Sequence, residues 1–188
     1  MNANLKRSIT IRWYSLAQRE LIALTFSLCL GAVHAVTCQN NLLPSNPDFS
    51  YSVHNNGTVT DNRTKRMWKV CAEGQTWSAG ACTGTAGVIT WVQAIALSEV
   101  GSFAGYSDWR LPNVRELRSL IEECRTSPSI NESIFPLTAS SSFWSSSPYV
   151  GMANRAWTVS FSSGEATPYG NTALDYGGLF VRLVRAGQ

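Results

Sequence analysis

The sequence predicts an α+β fold, in which a mostly antiparallel sheet carries two short helices and disulfide bonds stabilise the whole. Three observations predict it. Segments with strand-like alternation lie in the first and last thirds of the chain, and two helix starts, at Thr90 and Asn113, lie between them. An even set of cysteines follows a leader typical of exported proteins, which indicates a disulfide framework.

The N-terminus has the pattern of a secretory signal peptide. Basic residues precede an apolar run over residues 21–33, and Val33-His34-Ala35 has the small-x-small form of a cleavage site. We therefore expect residues 1–35 to be a signal peptide, residues 36–50 an extended lead-in and residues 51–188 the folded domain. The alternative is that the leader is kept as an anchor, although its apolar run is short for a membrane span.

Cleavage would change the charge of the chain. Four of the fifteen Lys and Arg residues and one of the twelve Asp and Glu residues precede Ala35, so eleven of each remain and the net charge is zero. A neutral chain has no basic field to attract nucleic acid or an anionic membrane surface. We expect no nucleic-acid partner and no membrane span after cleavage.

The first strands follow short-range turn signals. Thr58-Val59-Thr60 comes after the Asn56-Gly57 turn, and we expect it to form a β-hairpin with the segment 66–70. The Gly-rich segment 74–87 is predicted to be a loop. Thr90 and Gln93 form a capping box that predicts a helix from Trp91 to about Glu99.

The segment around Pro112 organises the chain. Pro112 keeps the preceding residues extended, and Asn113 with Glu116 predicts a second capping box. Helical spacing then places Val114, Leu117, Ile121 and Cys124 on one apolar stripe, with Arg115, Arg118, Glu122 and Glu123 away from it on a solvated face. Trp109 is the expected buried anchor, and Trp68, Trp91, Trp144 and Trp157 are also assigned to the core. The segment 126–142 is expected to cross the surface.

Strands return in the last third, over residues 143–147, 156–161 and 179–185. Two loops between them, Pro148–Arg155 and Pro168–Gly178, combine Tyr, Asn, Gly and charged residues, a mixture suited to adaptable recognition. The predicted ligand-binding residues are Tyr149, Arg155, Tyr169, Asn171, Asp175 and Tyr176.

Four cysteines remain after the leader, and they allow three pairings. We favour Cys71–Cys82, which closes a short Gly-rich loop, together with Cys38–Cys124, which ties the lead-in to the organising helix. A zinc site is disfavoured because no two of these cysteines have the close spacing that zinc sites use.

The segment Trp109-Arg110-Leu111-Pro112-Asn113, followed by Glu116-Leu117, resembles the family named after the C-terminal domain of a collagen-like bacterial adhesin, the Lcl C-terminal family. The resemblance also covers Gly57 to Asp61, Met67-Trp68, Cys71 to Gln75, Thr90-Trp91, Ile130-Asn131, Phe135-Pro136, Phe143 to Ser147 and Val181 to Arg185. It implies a fold of the C-type-lectin-like kind and attachment to cell surfaces or glycans. The related formylglycine-generating enzymes use a reactive Cys pair late in the domain, and no Cys follows Cys124 here.

The sequence contains few arrangements of residues that could carry out catalysis. His54 is the one histidine after the leader and lies in a polar turn, so a nucleophile–histidine arrangement is disfavoured. A carboxylate pair is the remaining alternative, with Asp108, Glu116, Glu122, Glu123 and Asp175 as candidates. No phosphate loop, calcium loop or other cofactor or metal motif occurs.

These observations predict an exported, non-catalytic binding module of the bacterial cell envelope that recognises a glycan or a protein. Two alternatives stay open: an enzyme that uses carboxylates on envelope glycans, and a structural module of an envelope assembly.

Overall fold

The computed structural model describes residues 38–39, 41–99, 101–170 and 178–187, so the predicted signal peptide lies outside the described residues. Two short α-helices, α1 (Trp91–Ala96) and α2 (Val114–Arg118), accompany antiparallel sheets, which confirms the α+β prediction. The strands are β1 (Tyr51–Val53), β2 (Thr58–Asp61), β3 (Arg66–Lys69), β4 (Thr76–Ser78), β5 (Ala81–Thr83), β6 (Ser142–Pro148), β7 (Arg155–Ser160), β8 (Ala166–Gly170) and β9 (Val184–Ala186).

The first sheet joins both halves of the domain in the order β1-β2-β3-β9. β2 and β3 form the expected hairpin partners, with Val59 opposite Trp68, and β9 pairs with β3 from the far end of the chain. The turn before β2 requires Gly57, because its φ is +81° and an added Cβ would lie 2.6 Å from the Trp77 ring. The predicted strand 179–185 is shorter than expected, since regular pairing begins only at Val184.

The Gly-rich segment 74–87 is not only a loop. β4 and β5 form a two-stranded sheet within it, with Trp77 opposite Cys82. Cys82 bonds to Cys71, and their Cα atoms are 5.5 Å apart, so this predicted disulfide is confirmed. The bridge holds the small hairpin against the core through the buried sulfur atoms.

The third sheet has the order β6-β7-β8 and carries an irregularity in β6. Trp144 pairs with Thr158 and Pro148 pairs with Ala156, so three residues of β6 lie opposite Trp157 alone. Such a bulge bends a strand and redirects its side chains. β8 extends to Gly170, so the first part of the predicted loop 168–178 is strand instead.

The core is built on large aromatic side chains. Trp68, Phe135, Phe143 and Phe161 are fully buried in one cluster, and Trp109 and Trp144 are buried in a second. Trp109 is 3% exposed and donates its indole N–H to the Phe103 carbonyl at 3.0 Å, as a buried indole requires. The prediction of a buried anchor at this position is confirmed.

Both predicted capping boxes are present. The Asn113 side chain accepts from the Glu116 amide at 2.9 Å and the Glu116 carboxylate accepts from the Asn113 amide at 2.9 Å; Thr90 and Gln93 make the equivalent pair at α1. Helix α2 ends at Arg118, however, so the prediction of a helical stripe through Cys124 is wrong. Ile121 instead pairs with Ile130 as an isolated β-bridge, because tertiary pairing replaces the last turns of the helix.

The segment 126–142 does not cross the surface as predicted. Ile130, Ile134 and Phe135 are buried in the main core cluster, and Arg182 packs its guanidinium 4.9 Å from the centre of the Phe135 ring. The apolar residues that recur along this segment indicate burial, but the Pro and Ser residues between them are typical of a surface connection, which the sequence therefore predicted. The connection is therefore part of the core.

The lead-in is docked rather than merely extended, and Glu122 holds it. The prediction that Glu122 lies on a solvated face is wrong: its side chain accepts from the Ser45 amide at 2.7 Å and the Asn46 amide at 2.8 Å, and the residue is 1% exposed. The predicted Cys38–Cys124 disulfide, with Cα atoms 4.8 Å apart, is confirmed beside it. A buried carboxylate is tolerated here because amide and hydroxyl donors satisfy its oxygens.

Substitutions around helix α2 can separate the stability contributed by the local helix cap from that contributed by contacts with distant residues. Asn113→Ala should cost about 1 kcal/mol through the lost cap, whereas Asn113→Asp should cost little because Asp also caps. Trp109→Ala should cost about 3–5 kcal/mol. Glu116→Ala should cost more than Asn113→Ala, about 2 kcal/mol, because Glu116 also pairs with Arg110 and Arg66. Denaturant unfolding measures all four, and equal small losses for Asn113, Glu116 and Trp109 would contradict this account of the anchor.

The buried carboxylate of Glu122 gives a pH prediction. Burial opposes its ionisation, but hydrogen bonds from Ser45, Asn46 and Cys124 outweigh that effect and lower its pKa below the ordinary 4.5. A lowered pKa stabilises the fold above the ordinary value, and this contribution is lost as pH falls through the folded value. Glu122→Gln should cost about 1–3 kcal/mol at pH 7. The difference from the parent protein should shrink below about pH 4.5.

Denaturant unfolding between pH 7 and pH 3 measures this difference, with Glu123→Gln as the control because Glu123 is exposed. A penalty for Glu122→Gln that stays constant down to pH 3 would contradict the proposed role of the carboxylate charge.

Candidate functional site

The two predicted recognition segments leave the three-stranded sheet at the same end. Arg155, the first residue of β7, pairs with Gly170, the last residue of β8. The Tyr149 amide donates to the Arg155 carbonyl at 2.9 Å, which closes the turn between β6 and β7. At the tip of this turn Val150 is 99% exposed. The structure therefore brings the turn 149–154 and the end of β8 together.

The tyrosine rings nevertheless face opposite sides of the sheet. Tyr149 packs edge-on against Trp157 with ring centroids 5.3 Å apart, and Tyr169 packs against Trp144 at 5.8 Å. Trp144 pairs with Thr158, the neighbour of Trp157 in β7, and successive residues of a strand point to opposite faces. Tyr149 and Tyr169 thus cannot form one contact surface. Asn171, Asp175 and Tyr176 lie outside the described residues, so their role stays a prediction.

The Tyr149 face of the sheet carries a groove, which we call the α2–β7 groove. Its walls come from the exposed side of α2 and from β7 and β8, and its lining residues are Val114, Arg115, Arg118, Trp157 and Ala166. Trp157 is only half-buried, so the prediction that it belongs to the core is wrong for the exposed part of its side chain. Arg155 stands two residues before Trp157 in β7 and therefore shares its face.

Hydrogen bonds join the irregular part of β6 to the start of α2. The Ser147 hydroxyl accepts from the Val114 amide at 3.1 Å, and the Ser146 amide donates to the Pro112 carbonyl at 2.7 Å. The start of α2 is thereby attached to β6 beside the strand that carries Trp157. Leu117 is fully buried on the other side of the helix, so Arg115 and Arg118 are directed to the groove side.

The groove combines an aromatic surface with unpaired positive charge. Arg115 and Arg118 are exposed, and neither guanidinium has a hydrogen-bond or ion-pair partner among the described residues. An indole face binds flat apolar surfaces, and a guanidinium binds carboxylate or sulfate oxygens in a bidentate manner. The sequence predicts that the two arginines are exposed, because their i,i+3 spacing places them off the apolar stripe of the helix. Nothing in the sequence predicts the exposure of Trp157.

Two of the carboxylates suggested for an enzyme, Asp108 and Glu116, pair with arginines. Arg185 donates to Asp108 at 2.6 Å, and this bond lowers the pKa of Asp108. Burial opposes ionisation of Glu116, yet its bond to Arg110 and the further hydrogen bond and charges around it leave its pKa lowered. A general acid needs a raised pKa, so neither group is suited to that role. Asp175 lies outside the described residues.

Two further groups were candidates for site chemistry. The His54 Nε2 atom lies 3.0 Å from the Thr60 hydroxyl, between β1 and β2, and His54 is not among the residues that line the α2–β7 groove. Cys38, Glu122 and Cys124 are grouped closely enough to suggest a metal site. Their sulfur atoms form the disulfide described above, so this group lacks the thiolates that a metal would bind.

Comparison with known proteins adds the family. A search of curated proteins and a search of solved structures found no match. Within the described ranges, no helix has both the length and the apolar character that crossing a membrane requires. The sequence model of the Lcl C-terminal domain matches residues 57–185, a span that includes both helices, strands β2 to β8 and the α2–β7 groove. The chain therefore belongs to the Lcl C-terminal domain family.

Proposed function

We propose that this chain is an exported, non-catalytic binding module that recognises a glycan through the α2–β7 groove. The observation that carries the proposal is the half-exposed Trp157 ring beside two guanidinium groups without partners, those of Arg115 and Arg118. By contrast, the buried guanidinium groups of Arg182 and Arg185 donate hydrogen bonds to neighbouring residues of the domain.

The groove chemistry favours a sugar over a flat apolar ligand. The C–H face of a pyranose ring packs on an indole face, and hydroxyl groups at its edge reach neighbouring polar side chains. Arg115 and Arg118 add affinity for a carboxylate or sulfate substituent. Because the chain after the leader is neutral overall, this attraction is local to the groove. The ligand is therefore a saccharide with isolated acidic groups rather than a long polyanion.

The location and the finer fold belong to the same proposal. Two disulfides support export, because such bonds persist in oxidising compartments. The membership in a family named after an adhesin domain supports a role in attachment at the cell envelope. A C-type-lectin-like arrangement is supported by the terminal sheet, the two helices that flank the organising segment and the recognition turn at one sheet end. Superposition of an experimental structure on lectin domains would test this arrangement.

Binding to immobilised oligosaccharides tests the groove, with a uronic-acid-containing glycan compared with its neutral analogue. Trp157→Ala should weaken binding of both by about 1–3 kcal/mol because the platform is lost. Arg115→Gln with Arg118→Gln should weaken only the acidic glycan, and Arg115→Lys with Arg118→Lys should retain most of that binding through the charge. Tyr149→Ala should weaken binding, whereas Tyr169→Ala, on the other face, should not.

Thermal melts of each variant separate binding from folding. Groove variants that melt like the parent protein but bind as well as it does would contradict the proposal. Equal losses for Tyr149→Ala and Tyr169→Ala would also contradict it, because they would place the ligand at the strand end instead of in the groove.

A further inference from the structure

A second cavity, of about 320 Å³, lies on the other side of Arg118. We call it the 118–165 cavity. It is formed between the segment that follows α2 and the turn between β7 and β8, and Arg118 is the one residue it shares with the lining of the α2–β7 groove.

Backbone hydrogen bonds hold the two walls together. The Ser129 amide donates to the Phe161 carbonyl at 2.6 Å, and the Ser127 amide donates to the Ser162 carbonyl at 3.3 Å. The turn requires Gly164, whose φ is +80° and whose Cβ, if present, would lie 3.1 Å from the Ile121 side chain. The cavity is thus a fixed feature of the fold rather than a gap between loose loops.

Two buried polar groups at this cavity have no hydrogen-bond partner within the ranges that the structure describes. Ser129 is 2% exposed, and its hydroxyl has no hydrogen-bond partner among the described residues. The Arg125 Nε atom is also buried without a partner among them. Both residues line the cavity. Buried polar groups in folded proteins are nearly always hydrogen-bonded, so two unpaired donors at one cavity indicate a ligand that accepts hydrogen bonds.

The cavity also holds unpaired charges of both signs. Arg118 and Arg125 face it with Glu123 and Glu165, and within the described part of the chain none of these four forms an ion pair. Glu122 also lines the cavity, but both of its oxygens are engaged with the lead-in. A ligand of one sign would be attracted by one pair of side chains and repelled by the other. A ligand that carries both signs satisfies all four.

We propose that the 118–165 cavity binds a small zwitterion of the α-amino-acid class. Its carboxylate lies against Arg118, Arg125 and the Ser129 hydroxyl, and its ammonium group lies toward Glu123 and Glu165. The volume of the cavity suits a free amino acid or the end of a short peptide. The site does not depend on glycan binding, because it shares only Arg118 with the groove.

Titration of the oxidised protein, followed by amide NMR shifts, tests the proposal with three probes: L-alanine, acetate and ethylamine. L-Alanine should saturate with shifts at Ser129 and Gly164, and it should bind at least about 10-fold more tightly than acetate or ethylamine, since each of these keeps one charge. Equal binding of L-alanine and acetate would overturn the zwitterion assignment. An absence of saturable shifts at these amides would overturn the site itself.

Variants separate this site from the groove and from folding. Ser129→Ala should weaken L-alanine binding about 3- to 10-fold without lowering the melting temperature, because the hydroxyl has no hydrogen-bond partner to lose in the part of the chain that the structure describes. Glu165→Gln should weaken L-alanine binding and leave acetate binding unchanged. Arg115→Gln, in the groove but outside the cavity, is the matched control and should change neither. Unaltered L-alanine binding in Ser129→Ala and Glu165→Gln would overturn the proposal, whatever the glycan measurements show.

Discussion

The Glu116 carboxylate is the interaction on which the placement of the site depends. One oxygen accepts from the Arg110 guanidinium at 2.7 Å and forms an ion pair with Arg66, whose Nε atom is 3.0 Å away. The other oxygen accepts from Arg110 at 2.8 Å and from the Asn113 amide at 2.9 Å. Arg110 in turn exchanges both backbone hydrogen bonds with Val184, at 2.9 Å each. The Glu116 carboxylate thus joins the start of α2 to β3 through Arg66, and to the first residue of β9 through Arg110. Because it is nearly buried, these bonds are less exposed to competing water than surface ion pairs are.

The segment just before β9 contributes a buried charge. Arg182 is fully buried, with donors directed at the Lys69 and Val70 carbonyls and at the Thr138 hydroxyl 2.8 Å away. Burial lowers the pKa of Arg182 to about 9, which still leaves the guanidinium charged at neutral pH. A buried charge that is satisfied by carbonyl oxygens specifies one arrangement of its neighbours, since any shift would leave it unpaired. Arg182 therefore holds the connection 126–142 against the first sheet, and the core depends on it.

The side of α2 that carries Leu117 is buried in the core, and the side that carries Arg115 and Arg118 is accessible to ligands. Arg118 stands between the α2–β7 groove and the 118–165 cavity, and the two differ in chemistry. The groove offers an indole and unpaired positive charge, which suit an acidic sugar. The cavity offers both signs of charge and buried donors, which suit a zwitterion. Since one residue lines both, ligands in the two sites would lie close enough to influence each other electrostatically, and a substitution of Arg118 alone could not distinguish them.

Local chemistry determined much of this fold, and distant contacts determined the rest. The capping boxes at Thr90 and Asn113 were predictable because their partners are three residues apart. The disulfide pairing that the sequence favoured, one of the three that four cysteines allow, is the observed one. The motifs around Pro112, together with those spread from Gly57 to Arg185, predicted the family that the sequence model confirms. The burial of Glu122 and Arg182 was not predictable, since their partners lie 77 and 112 positions away in the chain. The half-exposure of Trp157 was likewise not predictable, because strand alternation sets which side chains share a face but not which face the rest of the protein covers.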